Sequence, residues 1–252
     1  IDLLDPEALR SYGARPERLF EVVRGATQKI IVIDEVQKVP ALLSVAHALI
    51  EEDKQLQFVL SGSSARKLKA ASGDLLAGRA YLRFLHPFMA AELSELFSVE
   101  QALTVGMLPV LLGSAQPAHA LHAYVGMYLK EEIQAEGLVR NLESFSRFLE
   151  IISFSHTGIL NVANISRECE VKRKTVENYI QILQDLLLAF TLPVFSKRAQ
   201  RALASHDKFY LFDAGVFRAL RPAGVLDRPE EIEGAALEGL VAQHLRAWND
   251  YS

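Results

Sequence analysis

The fold of the first hundred residues follows from one segment, Lys29-Ile30-Ile31-Val32-Ile33-Asp34-Glu35. It places four consecutive β-branched residues in front of two acids, with no polar residue among the four. An apolar run without alternation is typical of a central parallel strand that is covered on both faces. A buried carboxylate is costly unless it is paired, so we expect Asp34 and Glu35 at the carboxyl end of the strand, facing a crevice.

Helical and β-rich patterns alternate on both sides of this strand. We predict helices over residues 6–24, 41–52 and 65–77, and strands over residues 57–60 and 81–85. Strands that alternate with helices in this way form parallel sheets with crossover helices. The first part of the chain is therefore predicted to be a three-layer α/β domain, in which helices cover both faces of the sheet.

The composition is that of a globular protein. About 50% of the 252 residues are apolar and 23% are charged, and 27 basic against 31 acidic residues give a net charge of −4. These values exclude fibrous and disordered chains. The single cysteine, Cys169, excludes an internal disulfide and a multi-cysteine zinc site, and it favours a reducing compartment. No apolar run approaches the ~18 residues of a membrane span, so we expect a soluble, cytoplasmic protein.

Two interpretations fit the acids that follow the first strand. Asp34 could cap the next helical turn, because Asp is a preferred N-cap residue. Alternatively, β-branched residues followed by Asp-Glu match the Walker B pattern of P-loop nucleotide hydrolases, which the four apolar residues favour. In that pattern the first acid holds Mg²⁺ through water and the second polarises the attacking water. We therefore predict that Asp34 binds the metal and that Glu35 is catalytic.

The second strand, residues 57–60, also runs into small polar residues. In AAA-type P-loop ATPases the neighbouring strand ends in a polar residue, termed sensor 1, that orients the water. Ser63 is the first choice for this role and Ser61 the second, although serines at this place also cap helices. Arg79 follows the predicted helix 65–77 and is either an arginine finger reaching a neighbouring subunit or a charge at the helix end. The first alternative predicts a homo-oligomer.

Phosphate binding by such proteins requires a P-loop, G-x-x-x-x-G-K-[ST], whose backbone N–H groups and lysine surround the phosphates. The 252 residues contain no such string. Residue 1 is Ile rather than Met, and the helical pattern still continues at Tyr251. We expect a fragment of a longer chain whose P-loop lies before the first residue, and we expect this fragment alone to be inactive as an ATPase.

Five segments together resemble a large group of prokaryotic ATP-binding proteins. They are Ile1 to Pro6, IIVIDEVQKVP at 30–40, LSGSS at 60–64, LAGR at 76–79 and GMLP at 106–109. Members of this group join an AAA-type ATPase core to a C-terminal domain of unknown function with a winged helix, often followed by a PD-(D/E)XK nuclease-like region. The resemblance implies ATP and Mg²⁺ as cofactors. It also implies an ATPase core, a helical connector, a winged-helix domain and the start of a nuclease-like region, at 1–95, 96–140, 141–226 and 227–252.

Residues 162–187 carry the pattern of two helices separated by a short turn. The apolar residues that fall where a helix-turn-helix buries its contacts are Ile165, Val171, Val176, Ile180 and Leu183. Three basic residues open the second helix, where recognition helices meet bases and phosphates. These residues are Lys172, Arg173 and Lys174. We predict a mostly helical domain with a winged helix-turn-helix, whose second helix makes the contact.

A basic loop, residues 196–201, lies between two extended segments, and we interpret it as the wing. Lys197 and Arg198 are its candidate contact residues. Residues 161–201 hold 7 basic and 4 acidic residues, and this weak positive charge fits either duplex DNA or a protein partner. The leading hypothesis is an ATPase that drives or gates the winged helix. The alternative is a DNA-binding or protein-docking module on a non-catalytic ATPase scaffold.

Two further acids belong to recognisable patterns. Asp213 follows a β-rich segment, and it is either the N-cap of the next helix, which capping preferences favour, or a catalytic acid. Residues 234–248 form an amphipathic helix. We expect its apolar face to contain Leu237, Leu240, Val241, His244 and Leu245. In the related group this helix opens the nuclease-like region, and the resemblance implies that Glu238 is its first metal-binding acid.

Overall fold

The computed structural model describes residues 1–62, 80–128, 133, 139, 141–193 and 207–252. Within them the chain forms two compact units, Ile1–Leu82 and Arg83–Ser252. Several predicted features lie outside the described residues, namely the helix at 65–77, the wing at 196–201, Ser63, Arg79, Lys197 and Arg198. The finer division into four domains stays a prediction.

The first unit is a small parallel sheet with helices. Its elements are α1 (Pro6–Ala14), α2 (Arg18–Gly25), β1 (Ile30–Ile33), α3 (Ala41–Glu52) and β2 (Gln57–Leu60). The two strands are parallel, with Ile30 opposite Gln57 and Ile33 opposite Leu60. On the other edge of β1, Asp2 forms a parallel bridge with Asp34. The predicted helices and both strands up to residue 60 are therefore confirmed.

One face of this sheet is open in the part of the chain that the structure describes. Ile33 is fully buried, whereas Ile30 is 59% exposed, Val32 49% and Val59 51%. The buried side chains of α1, α2 and α3 form one cluster, against which Ile31 also packs. Because that cluster meets only the face of Ile31 and Ile33, the prediction that helices cover both faces of the strand is wrong for the described residues.

The third strand predicted at 81–85 is also absent. Residues 80–86 have no regular secondary structure, and Tyr81 and Leu85 are each 92% exposed. A β-forming sequence becomes a strand only where another strand offers hydrogen bonds, and the described residues contain none beside this segment.

In its described residues the second unit is mostly helical, with one three-stranded antiparallel sheet. Its helices are α4 (Ala90–Leu93), α5 (Val99–Thr104), α6 (Pro109–Leu112), α7 (Pro117–Ala123), α8 (Leu142–Ser153), α9 (Val162–Cys169), α10 (Arg173–Asp185), α11 (Ala214–Leu220) and α12 (Pro229–Tyr251). Its strands are β3 (Gly158–Ile159), β4 (Ala189–Leu192) and β5 (Lys208–Leu211), with β5 in the middle. No helix among the described residues is both long and apolar enough to cross a membrane.

Asp213 fastens α11 to the turn before α6. It is fully buried, its Oδ1 accepts from Val216 N–H at 3.0 Å and its Oδ2 accepts from Met107 N–H at 2.7 Å. Gly106 has a φ of +95°, and a Cβ there would lie 2.1 Å from Asp213 Oδ1. The prediction that Asp213 is an N-cap is confirmed, and the contact explains the Gly106 of the GMLP segment.

The buried face of α12 differs from the predicted one. Its buried residues are Ala236, Gly239, Leu240, Gln243 and Ala247, whereas Leu237, Val241 and Leu245 are 47–61% exposed. The helix lies so close to its neighbours that a Cβ on Gly239 would come within 2.3 Å of His156 Nε2. Because small residues allow this approach and large apolar ones do not, the predicted apolar face is wrong at Leu237, Val241 and Leu245, whereas Leu240 is buried and His244 is half-buried.

Candidate functional site

The carboxyl ends of β1 and β2 bring two of the predicted site residues together. The Ser61 hydroxyl donates a hydrogen bond to Asp34 Oδ1. The backbone supports this contact, because Ser61 N–H donates to Ile33 O and Val36 N–H donates to Ser61 O, each at 3.0 Å. Parallel strands end at the same edge of a sheet, which is why residues 27 positions apart in the sequence meet here.

Glu35 lies beside this pair in an uncommon backbone conformation. Its φ of 56° and ψ of 40° are left-handed, a region that non-glycine residues seldom occupy and that is frequent at functional sites. Its N–H donates to Asp34 Oδ1 at 3.2 Å, and its Oε2 accepts from Gln37 Nε2 at 2.6 Å. Both acids are half-buried. The edge thus holds two oriented carboxylates next to a hydroxyl group.

Gln37 is not among the predicted site residues. The residue is brought back towards Glu35 by a 3₁₀ turn over Val36–Lys38, in which Lys38 N–H donates to Glu35 O at 2.9 Å. The only signal in the sequence is a polar side chain two positions after the acid. That signal is weak without knowledge of the turn.

The donor set at this edge fits a magnesium ion. Mg²⁺ typically keeps several water ligands and binds one or two protein carboxylates together with phosphate oxygens. Both donors that reach Asp34 from the described residues contact Oδ1, and none of these residues donates to Oδ2. The same residues contain no group of three or more His, Cys, Asp or Glu side chains that would hold a metal unaided. Asp34 and Glu35 thus supply the one or two carboxylates that a magnesium site of this kind uses.

The helix-turn-helix pattern corresponds to α9 and α10. Glu170, in the left-handed conformation at φ 57°, ends α9, and Val171 N–H donates to Ser166 O at 3.2 Å across the turn. The Ser166 hydroxyl donates to Val171 O at 2.6 Å. The predicted contact residues Ile165, Val176, Ile180 and Leu183 are all buried, and Val171 is half-buried. The prediction of two packed helices with a three-residue turn is confirmed.

The three basic residues at the start of α10 are exposed. They are Lys172, Arg173 and Lys174, and Lys174 forms a loose surface pair with Glu177 at 3.4 Å. Cations at a helix N-terminus oppose the helix dipole by about 0.3–1 kcal/mol, and exposed ion pairs recover little of that. These cations therefore do not stabilise α10, which makes them candidates for contact with a partner.

The comparison with known families separates two regions of the chain. Residues 96–227, more than half of its length, match the family described as Domain of unknown function (DUF8612). The chain belongs to the DUF8612 family. Residues 1–94, in front of the DUF8612 domain, match a family described as AAA domain. The match supports a nucleotide-binding α/β fold of the P-loop NTPase type for this region.

Relatives of this DUF8612 protein are longer. Uncharacterized protein Rv2008c of Mycobacterium tuberculosis and Uncharacterized protein Mb2031c of Mycobacterium bovis are each 24% identical to it over 225 residues, which are 86% of this chain and 51% of each relative. The chain thus spans about half the length of the curated relatives it matches. No solved structure matches it.

Glu238, which follows the DUF8612 domain on α12, contacts the antiparallel sheet. Its Oε1 accepts from Lys208 Nζ at 2.6 Å and from the Tyr210 hydroxyl at 2.8 Å. Partial burial opposes ionisation of Glu238, but its two donors outweigh burial and lower its pKa. The Glu238 carboxylate is therefore already paired with Lys208 and Tyr210 of the sheet.

Proposed function

We propose that the chain is part of an AAA-type P-loop ATPase in which Mg²⁺-dependent hydrolysis of ATP is coupled to a winged-helix domain. The observation that carries the proposal is the meeting of Asp34 and Ser61 at the ends of two parallel strands, with Glu35 beside them. The AAA match over residues 1–94 supports it. The P-loop would be supplied by a longer polypeptide, which agrees with the greater length of the relatives.

In this proposal each residue at the strand ends has a separate task. Ser61 and the Glu35 N–H occupy Oδ1 of Asp34, which fixes the carboxylate and leaves Oδ2 for the metal's water. Glu35, held by Gln37, accepts the proton of the attacking water. Mg²⁺, when bound, neutralises charge on the phosphate oxygens.

Two predicted residues outside the described part of the chain complete the proposed site. Ser63 remains the first choice for orienting the water, with Ser61 as the alternative. Arg79 would stabilise phosphate charge in a neighbouring copy, which requires a homo-oligomer.

Phosphate release by the longer polypeptide tests the proposed site. The substitution Glu35→Gln removes the proton acceptor and should lower the hydrolysis rate by about 10²–10⁴-fold while ATP still binds. Glu52→Gln is the matched control, because Glu52 lies on the same unit in a surface pair with Arg24. An unchanged rate in Glu35→Gln would remove the catalytic role from this residue.

The second unit supports a winged helix as the coupled domain. Helix α8, strand β3, helices α9 and α10 and strands β4 and β5 follow one another in the order helix, strand, helix, helix, strand, strand. The strands form one antiparallel sheet in which β5 lies between β3 and β4. The segment between β4 and β5 contains Lys197 and Arg198, which we propose as wing contacts.

A second candidate function, binding of duplex DNA or docking of a protein, rests on the exposed cations of α10. The triple substitution of Lys172, Arg173 and Lys174 by Gln should weaken duplex binding and reduce the slope of log affinity against log salt by about 2.7, because each phosphate contact contributes about 0.9. Substitution of the exposed Arg15, Lys29 and Lys54 by Gln is the control. Absence of duplex binding by the unsubstituted protein would leave protein docking.

A further inference from the structure

The second unit contains an apolar cavity that the proposed ATPase and winged-helix functions do not use. Its volume is about 280 Å³. Its walls are largely apolar, with Phe84, Leu108, Leu186, Leu188, Phe190 and Phe212 among the residues that line it. The residues with polar groups that line it are His86, Tyr124, Gln243 and Arg246, of which Gln243 and Arg246 come from α12. Because Gln243 and Arg246 are three positions apart on one helix, their side chains are neighbours.

Arg246 brings to this cavity a guanidinium group that forms no ion pair within the described part of the chain. Its Cζ lies 4.7 Å from the centroid of the Phe190 ring, which covers one face of the group. The acid Asp250 is engaged with His86 Nε2 at 2.7 Å. Among the described residues no carboxylate pairs with Arg246 and no acceptor takes its N–H groups. Burial lowers the pKa of this guanidinium, while the negative charge of Asp250 opposes the shift.

Gln243 adds an acceptor that lacks a donor. The side chain is 2% exposed, and its Nε2 donates to Phe88 O at 3.3 Å. Its Oε1 is buried and has no hydrogen-bond donor among the described residues. A buried amide oxygen without a donor is unfavourable, so a bound molecule that donates an N–H would stabilise this arrangement.

We propose that the cavity binds an N-acylated apolar amino acid, either as a free molecule or as the C-terminal residue of a peptide. The carboxylate pairs with the forked N–H groups of Arg246, the amide N–H donates to Gln243 Oε1, and the apolar side chain lies against the hydrophobic walls. A simple fatty acid offers no donor to Gln243, and an uncharged amide offers no anion to Arg246. The N-acyl amino acid satisfies both groups.

Calorimetric titration of the chain with three leucine analogues tests the chemistry. N-acetyl-leucine has all three features, N-acetyl-leucinamide lacks the carboxylate, and 4-methylpentanoate lacks the amide N–H. We expect N-acetyl-leucine to bind about 10- to 100-fold more tightly than either analogue, because each loses one polar contact. Failure of N-acetyl-leucine to bind, or equal binding of the amide and the acid, would overturn the proposal.

Two variants assign the contacts. Arg246→Gln should weaken N-acetyl-leucine about 10- to 100-fold and leave N-acetyl-leucinamide unchanged, whereas Gln243→Leu should weaken both and spare 4-methylpentanoate. If Arg246→Gln does not fold, it is replaced by Arg246→Lys, which keeps the aliphatic stem and the positive charge. Arg228→Gln is the control, since Arg228 is the N-cap residue of the same helix and its side chain is 77% exposed. Equal affinities of Arg246→Gln and the control would contradict the assignment.

A peptide separates the two sources of this ligand. A pentapeptide that ends in leucine with a free carboxylate binds at least as tightly as N-acetyl-leucine if the cavity receives peptide C-termini. If N-acetyl-leucine binds and the pentapeptide does not, the cavity takes the free molecule. Both results uphold the site, whereas binding of neither ligand overturns it.

Discussion

Acidification from pH 7 to pH 4 should remove the contribution of uncharged His156 to the stability of the second unit. This imidazole is buried, its Nδ1 accepts from Leu211 N–H at 3.0 Å, and its ring stacks on Phe217 with the centroids 4.2 Å apart. Burial lowers the pKa of His156 from 6.5 to about 4, although Glu238 opposes the shift. The unfolded chain therefore binds this proton more readily, and stability is lost as the pH falls through 6.5 towards 4. The lowered pKa of His156 corresponds to a loss of about 3 kcal/mol in the free energy of unfolding over this range.

Asp213 has the opposite effect over nearly the same range. Burial raises the pKa of Asp213 to about 6, while the N–H groups of Met107, Val216 and Gly215 oppose the shift. The folded chain binds this proton more readily, so its contribution to stability falls as the pH rises from 3.8 to 6. The two contributions nearly cancel in the unsubstituted protein. The effect of His156 therefore has to be measured as a difference between variants.

The variant His156→Phe keeps an aromatic ring against Phe217 and removes the titrating group. Urea unfolding followed by the fluorescence of Trp248, the single tryptophan, reports on the second unit. Loss of the acceptor for Leu211 N–H adds a constant cost of about 1–3 kcal/mol. In addition, the free energy of unfolding of the unsubstituted protein should fall by about 3 kcal/mol relative to that of His156→Phe between pH 7 and pH 4. A difference that does not change with pH would refute the argument that His156 is buried uncharged.

Two further predictions concern packing in the second unit. Gly106→Ala should lower its free energy of unfolding by about 2 kcal/mol or more, because a Cβ there meets Asp213 and φ is +95°, whereas Gly113→Ala, with open space around it, should change it by about 0.5 kcal/mol or less. Equal effects of the two substitutions in urea unfolding would contradict the described contact. Leu240→Asp should prevent stable folding, because it buries an unpaired charge, whereas Leu237→Asp should cost less than about 1 kcal/mol. Circular dichroism melting distinguishes the two, and the reverse order would mean that the other face of α12 is buried.

Local patterns were sufficient to predict many elements. The strand Ile30–Ile33 and the helix Ala41–Glu52 have the predicted bounds, because apolar periodicity and β-branching act over a few neighbouring residues. The N-cap at Asp213 and the buried residues of the helix-turn-helix were predicted for the same reason. The meeting of Asp34 with Ser61 followed from one more rule, that parallel strands end at a common edge.

The failures all concern contacts between distant segments. The apolar run Ile30–Ile33 does not reveal that the face of Ile30 and Val32 is open in the described part of the chain. The hydrophobic pattern of α12 pointed to Leu237 and its neighbours, but the close approach of Gly239 to His156 decides which face is buried. A sequence pattern indicates which side chains of a segment can be buried. The segments packed against it determine which of them are buried.

The dependence of ATP affinity on Mg²⁺ tests the proposed role of Asp34 most directly. It is measured on the longer polypeptide with and without Mg²⁺, for the unsubstituted protein, for Asp34→Asn and for the control Asp53→Asn, whose carboxylate pairs with Lys29 on the surface. We expect Mg²⁺ to strengthen ATP binding in the unsubstituted protein and in Asp53→Asn, whereas Asp34→Asn should lose this gain and keep the same affinity for ATP without the metal. An equal gain in Asp34→Asn would contradict a metal site at the end of β1.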